Sequence, residues 1–167
     1  MDLAEQLVAS SKAKGRGVSH VDFFACAGEV PADIKACRSQ GPDGCRLTAG
    51  PWSLDDFEVL VGKAKTLARL PRPHIRGAAD RCHEGREEGQ RAFENLKENL
   101  ARGLGGRPDT NDGRPFTQTE LSELYPDGFF QTKDSGTETD LLDCIALFRF
   151  VADSGVFKQA RQVKAHV

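Results

Sequence analysis

The stretch that decides the fold class is Ser53 to Ala68, "SLDDFEVLVGKAKTLA". Leu54, Phe57, Leu60, Val61, Ala64, Leu67 and Ala68 recur at the i, i+3, i+4, i+7 spacing of a single helical face. Ser53 stands where an N-cap side chain accepts a backbone N–H. Asp55 and Asp56 fall in the first turn, where the helix dipole favours negative charge. Pro71 and Pro73 close the segment. A helix with one apolar face must bury it against other elements, so the fold depends on what the flanking sequence supplies.

Working outward, helix signals dominate. Leu3, Leu7 and Val8 have helical spacing and run into a Gly15/Gly17 linker, so residues 1–18 are expected to form a flexible N-terminal extension. Ser19, with Asp22 three residues on, resembles a capping box ahead of Val21, Phe23, Phe24 and Cys26. Pro31 suits the first turn of a short helix, "PADIKACRSQ", stopped by Gly41 and Pro42. "GPDGCRLTAGPW", residues 41–52, is a loop. On the other side, residues 74–102 predict one long helix. Gly77, Gly85 and Gly89 each weaken it by about 1 kcal/mol, while Ala92, Phe93, Leu96 and Leu100 share a face. Thr117 to Tyr125 predicts a short helix, followed by a Pro126-Asp127-Gly128 turn.

"TDLLDCIALFRFVAD", Thr139 to Asp153, is apolar around almost its whole circumference. Such a helix is central to a core or sits in an interface. Residues 156–167, "VFKQARQVKAHV", predict a peripheral basic C-terminal helix. There is no convincing strand pattern and no fixed repeat. The expectation is an all-α, single-domain bundle of five to seven helices. Its core would draw on Phe23, Phe24, Phe57, Leu60, Leu67, Leu96, Leu100, Ile145, Phe148 and Val151.

Composition narrows the function classes. At 167 residues, 38% hydrophobic and 29% charged, the chain reads as globular. No run of apolar residues is long enough to span a membrane. The N-terminus lacks a basic flank followed by an apolar core, so no secretory signal is read and an intracellular, reducing compartment is expected. The cysteines, Cys26, Cys37, Cys45, Cys82 and Cys144, form no C-x-x-C pair, which argues against a zinc ribbon or a thioredoxin-like site. Free thiols are expected, the rival being one disulfide within Cys26, Cys37 and Cys45. From Lys63 to Arg107 there are 11 basic and 6 acidic side chains, and from Asp109 to Asp153 there are 3 and 10. These halves can attract one another or serve as faces for different protein partners. With Phe93 as its one aromatic residue, the basic segment offers little for base stacking, and no nucleic-acid partner is expected.

Three constellations carry candidate chemistry. The first is "DTNDGRPFTQTEL", Asp109 to Leu121. Over the twelve residues from Asp109 to Glu120, Asp109, Asn111 and Glu120 fall at ligand positions of a calcium loop, Phe116 sits at its apolar position and a helix follows. The segment resembles a degenerate EF-hand, and the resemblance implies Ca2+ on those three residues. Gly113 comes one position early, Pro115 has no counterpart, and Gly103, Gly105 and Gly106 interrupt the helix before it. The competing reading is a capping box, Thr117 with Glu120, behind a polar turn. The second is "DRCHEGREE". Asp80, His83 and Glu87 have spacings that would put them on one helical face, as transition-metal ligands. The third is Cys45, the most exposed-looking thiol, with His74 or His83 as base and Arg46 beside it to lower its pKa. The leading expectation is a non-catalytic helical interaction protein or accessory subunit, with protein partners and no cofactor. The alternatives are a calcium-responsive EF-hand-like module and a cysteine- or metal-dependent enzyme.

Overall fold

The computed structural model describes residues 3–13, 18–23, 43–104, 115–133 and 136–154. Phe24, Cys26, Cys37, Asp109, Asn111, the "PADIKACRSQ" segment, residues 156–167 and the side chains of Phe148 and Val151 lie outside the described residues. The described chain is mostly helical, an all-α fold of six helices with two short strand pairs. In order it runs α1 (Leu3–Ala13), β1 (His20–Val21), β2 (Trp52–Ser53), α2 (Leu54–Leu67), α3 (Arg72–Glu84), α4 (Arg86–Ala101), α5 (Gln118–Leu124), β3 (Gln131–Lys133), β4 (Gly136–Glu138) and α6 (Leu141–Ser154). Among the described residues no helix is long and apolar enough to cross a membrane.

The α2 helix forms as its sequence dictates. Ser53 Oγ accepts the Asp56 N–H at 3.1 Å, and Leu60, Val61, Ala64 and Leu67 are buried. Phe57 is partly buried and meets Phe23 edge to face, ring centroids 6.0 Å apart. Leu54, expected on the same stripe, is the first helical residue and is exposed. The α2 helix packs on α6, α3 on α4, and α4 on α5. The centre of the core is Leu121, Tyr125 and Phe129, all at most 1% exposed. Phe129 makes edge-to-face pairs with Phe93 and Tyr125, both at 5.2 Å, the arrangement that ring quadrupoles favour.

Two sequence expectations are corrected. Ser19 and Asp22 do not open a helix. His20 and Val21 instead pair antiparallel with Ser53 and Trp52, so a tertiary ladder replaces the local capping pattern. The helix expected over 74–102 is two helices. Gly85 breaks it at φ 130° and ψ 175°, a left-handed extended conformation that glycine adopts without Cβ strain. Two further local expectations are present. Thr117 Oγ1 accepts the Glu120 N–H at 3.2 Å, and Glu120 Oε2 accepts the Thr117 N–H at 2.9 Å, closing a full capping box on α5. The Gly128 N–H donates to the Tyr125 carbonyl at 3.2 Å, closing the predicted turn.

The opposite charges of the two halves of the sequence meet inside the fold. Lys63 Nζ on α2 lies 2.7 Å from Asp140 Oδ2 ahead of α6. Arg69, after α2, pairs with Glu120 on α5 and also donates to the Pro115 carbonyl at 3.2 Å.

Candidate functional site

The segment from Asp43 to Trp52 is a strap whose polar contacts reach Arg86, residues 137–139 and Asp143. Its sequence has no helical or alternating period, so its backbone groups need partners from elsewhere. At its first end, Asp43 Oδ2 accepts the Arg86 N–H at 2.5 Å and Oδ1 accepts the Cys45 N–H at 3.3 Å. Gly85, the N-cap residue of α4, has no side chain to offer, so Asp43 caps that helix from a distant loop. This N–H contact from Arg86 is the main reason the Asp43 carboxyl is held below its usual pKa.

In the middle of the strap, the Arg46 N–H donates to the Thr137 carbonyl at 2.9 Å, and the Thr139 N–H donates to the Arg46 carbonyl at 3.0 Å. The Arg46 guanidinium reaches buried Glu138 at 3.3 Å and the Gly50 carbonyl at 3.2 Å. At the inner end, buried Asp143 on α6 accepts from Thr48 Oγ1 at 2.7 Å and from the Ala49 N–H at 3.0 Å. The Gly50–Pro51 peptide is cis and leads into β2.

Beside the strap, α2, α5 and α6 bring together Lys63, Tyr125, Asp140 and Cys144. Lys63 Nζ stands 4.9 Å from the Tyr125 ring centroid, and the Tyr125 hydroxyl donates to Cys144 Sγ at 3.8 Å. Burial, then the neighbouring Cys144 and Asp140, pushes the Tyr125 phenol well above its ordinary pKa. Burial and Asp140 do the same to the Cys144 thiol. Among the buried side-chain atoms of the described residues, Trp52 Nε1 and Asp140 Oδ1 have no hydrogen-bond partner, at about 1–3 kcal/mol each. Tyr125 and Cys144 are closed to solvent, so this cluster ties elements together and offers no access to a substrate.

The open space lies elsewhere. Between α3 and α4 runs a groove of about 300 Å³ lined by His74, Gly77, Ala78, Arg81, Glu88, Arg91, Ala92, Asn95, Leu96 and Asn99. The small residues Gly77, Ala78 and Ala92 are among its lining, and a Cβ built on Gly77 meets nothing within 4 Å. Arg81 pairs with Glu84 and Arg91 with Glu87 and Glu88, each on its own helix, and all but the partly buried Glu88 are exposed. A second groove of about 510 Å³ separates α1 from β1, with Leu7, Val8, Val18 and Val21 among its lining residues.

The structure brings few of the sequence candidates together. Cys45 is buried, at 5% exposure, where exposure was expected. Its thiol is raised by burial first and then by Asp43, which outweigh Arg86, so Arg46 beside it does not yield a low-pKa nucleophile. His74 lies in the α3–α4 groove and His83 is exposed late in α3. Asp80 and His83 share α3, but Glu87 lies beyond the break at Gly85 and pairs with Arg91 at 2.5 Å. The common helical face expected for the three is therefore not formed. Among the described residues no group of three His, Cys, Asp or Glu side chains stands close enough to hold a metal. Glu120 is engaged by Thr117 and Arg69. These, together with burial, which acts the other way, leave its pKa lowered on balance.

The residues that sequence reasoning missed are Asp43, Thr48, Glu138 and Asp143. Their only sequence signal was polarity in a loop and on an otherwise apolar helix. No protein-family model, no curated protein and no solved structure matches this chain.

Proposed function

We propose that this chain is a non-catalytic helical interaction protein, an accessory subunit of a larger assembly, and that it docks its partner in the groove between α3 and α4. The supporting observation is how its polar side chains are divided. The strap and cluster residues Asp43, Glu138, Asp140 and Asp143 are committed to neighbouring elements, and Cys45, Cys82 and Cys144 are buried thiols. In the groove, by contrast, His74, Asn95 and Asn99 line open space. The arginines there make same-helix pairs with Glu84, Glu87 and Glu88, worth about 0.2–0.5 kcal/mol each and easily exchanged for a partner's groups.

The test fills the groove without touching the core. Gly77→Leu places a side chain where a Cβ meets nothing and replaces a poor helix former. A photo-crosslinking residue at Asn95, in the full chain in its native cell, should give a discrete protein adduct. Gly77→Leu should abolish that adduct while preserving the thermal melt, and the purified partner should bind the parent chain with fixed stoichiometry in analytical ultracentrifugation. Adduct formation that survives Gly77→Leu, or turnover of a substrate by the isolated chain, would overturn the reading.

A further inference from the structure

We propose, resting on the docking reading above, that the partner enters the α3–α4 groove as an extended peptide segment, clamped along its backbone by the side-chain amides of Asn95 and Asn99. Both residues line the groove, Asn95 exposed and Asn99 half-buried. Among the described residues neither amide is spent on a hydrogen bond, whereas the Gln90 amide on the same helix donates to Glu94 at 3.1 Å. A carboxamide offers a donor and an acceptor side by side. That matches the N–H and C=O that one extended residue directs to the same edge. The spacing matches as well. Four residues along a helix advance about 6 Å, and two residues along a strand advance about 6.6–6.8 Å. Asn95 and Asn99 therefore stand in register with alternate residues of an extended chain, whose backbone groups face the same way.

The rest of the lining fits the same occupant. Gly77 and Ala92 put no side chain beyond Cβ into the groove, so a peptide backbone can come within hydrogen-bond reach. A helix fits poorly. Its mid-chain N–H and C=O groups are spent on each other, so it would cover both amides without pairing them, and a covered polar group without a partner is costly. Charge sets the direction of the segment. The lining carries Arg81 and Arg91, one from each helix, against the single carboxylate of Glu88. A carboxylate of the segment can share these guanidiniums with their same-helix glutamates. Arg91 lies four residues before Asn95 on α4, so the acidic residue belongs on the Arg91 side of the clamped pair.

Phage-displayed random dodecapeptides, selected on the full chain and counter-selected on Gly77→Leu, supply the probe. The recovered peptides should carry Asp or Glu to one side of the clamped residues and bind the parent chain in calorimetric titration. Asn95→Ala and Asn99→Ala should each weaken that binding about tenfold. The thermal melt should hold in both variants, because alanine is the better helix former. N-methylation of the peptide, one residue at a time, deletes single backbone N–H groups and keeps the side chains. The losses should fall on two residues that are two apart. If either Asn variant fails to fold, the N-methyl series on the parent chain decides. A peptide that Gly77→Leu excludes but the Asn variants bind unchanged, or whose losses fall three and four residues apart, would overturn the extended clamp and leave the docking site standing. Failure to recover any groove-dependent peptide would overturn it as well; the crosslinked adduct at position 95, which leaves Asn99 in place, then judges the docking site separately.

Discussion

Two glycines on adjacent helices separate packing from helix propensity. Gly77 lies inside α3 and Gly89 inside α4. Glycine in a helix interior costs about 1 kcal/mol relative to alanine, so Gly→Ala gains about that much at either site before packing is considered. A Cβ at Gly77 meets nothing within 4 Å, so Gly77→Ala should stabilise by about 0.5–1 kcal/mol. A Cβ at Gly89 would lie 2.5 Å from Phe130 Cε2 and 3.1 Å from Cys82 Sγ. Phe130 and Cys82 are both buried, and forcing a methyl into a packed core costs about 1–3 kcal/mol. Contact as close as 2.5 Å belongs at the upper end, so Gly89→Ala should destabilise by about 1–2 kcal/mol net. The propensity gain cancels to first order between the variants, so their difference measures the packing cost directly. Urea unfolding followed by circular dichroism, with m unchanged, gives that difference. If Gly89→Ala stabilises as much as Gly77→Ala, Phe130 is not seated on α4 and the packing described above is wrong.

Asp143→Ala leaves the Thr48 hydroxyl and the Ala49 N–H buried without their acceptor; it should cost about 2–5 kcal/mol, seen as a large fall in thermal midpoint. Thr117→Ala removes one side of the α5 capping box and should cost about 1 kcal/mol in the same melt. Burial pushes the Cys82 thiol up to about 12, so in the folded protein it should stay unalkylated at pH 9, where an unshifted thiol reacts readily. The carboxyls of Asp43 and Glu120 both have folded pKa values below their ordinary ones. Their contribution is therefore complete above the unfolded carboxylate range, about pH 4, and is lost as pH falls through the folded values. Urea midpoints between pH 6 and pH 2.5 should decline, with a shallower decline in Asp43→Ala.

What was legible in the sequence was whatever a few neighbouring residues settle among themselves. The α2 stripe, its Ser53 cap and the Thr117–Glu120 box all close within one or two helical turns, and each is present. The break at Gly85 was not legible, because propensity charges Gly77, Gly85 and Gly89 alike. Only Gly85 adopts positive φ, and there Asp43 caps the new helix from 43 residues away. The β1–β2 pair is two residues long, too short to show a period of two. Phe129 and Phe130, near the centre of the core, follow a turn and belong to no periodic run. The strap failed for the same reason on a larger scale. Thr48 meets Asp143 across 95 residues and Arg46 meets Glu138 across 92. Glycine and proline around Cys45 correctly announced a loop, but loop composition says nothing about what lies over it.

Glu120 is the residue on which the two readings of Asp109 to Leu121 meet. A bidentate calcium ligand gives both carboxylate oxygens to the ion. Here Oε2 accepts from the Thr117 N–H and hydroxyl, at 2.9 and 3.0 Å, and Oε1 is taken by Arg69. An ion claiming both oxygens would have to break the α5 cap, at about 1 kcal/mol. It would also have to displace a guanidinium that is itself mostly buried, with 16% of its side chain exposed. Leaving that positive charge beside an incoming cation adds repulsion to the lost pair. The same carboxylate therefore does opposite things in the two readings: in one it gathers a cation from solvent, and in the described fold it joins the basic segment after α2 to the first turn of α5. The uneven charge distribution of the sequence is in part the trace of such internal pairing, with Arg69–Glu120 and Lys63–Asp140 linking its basic and acidic halves.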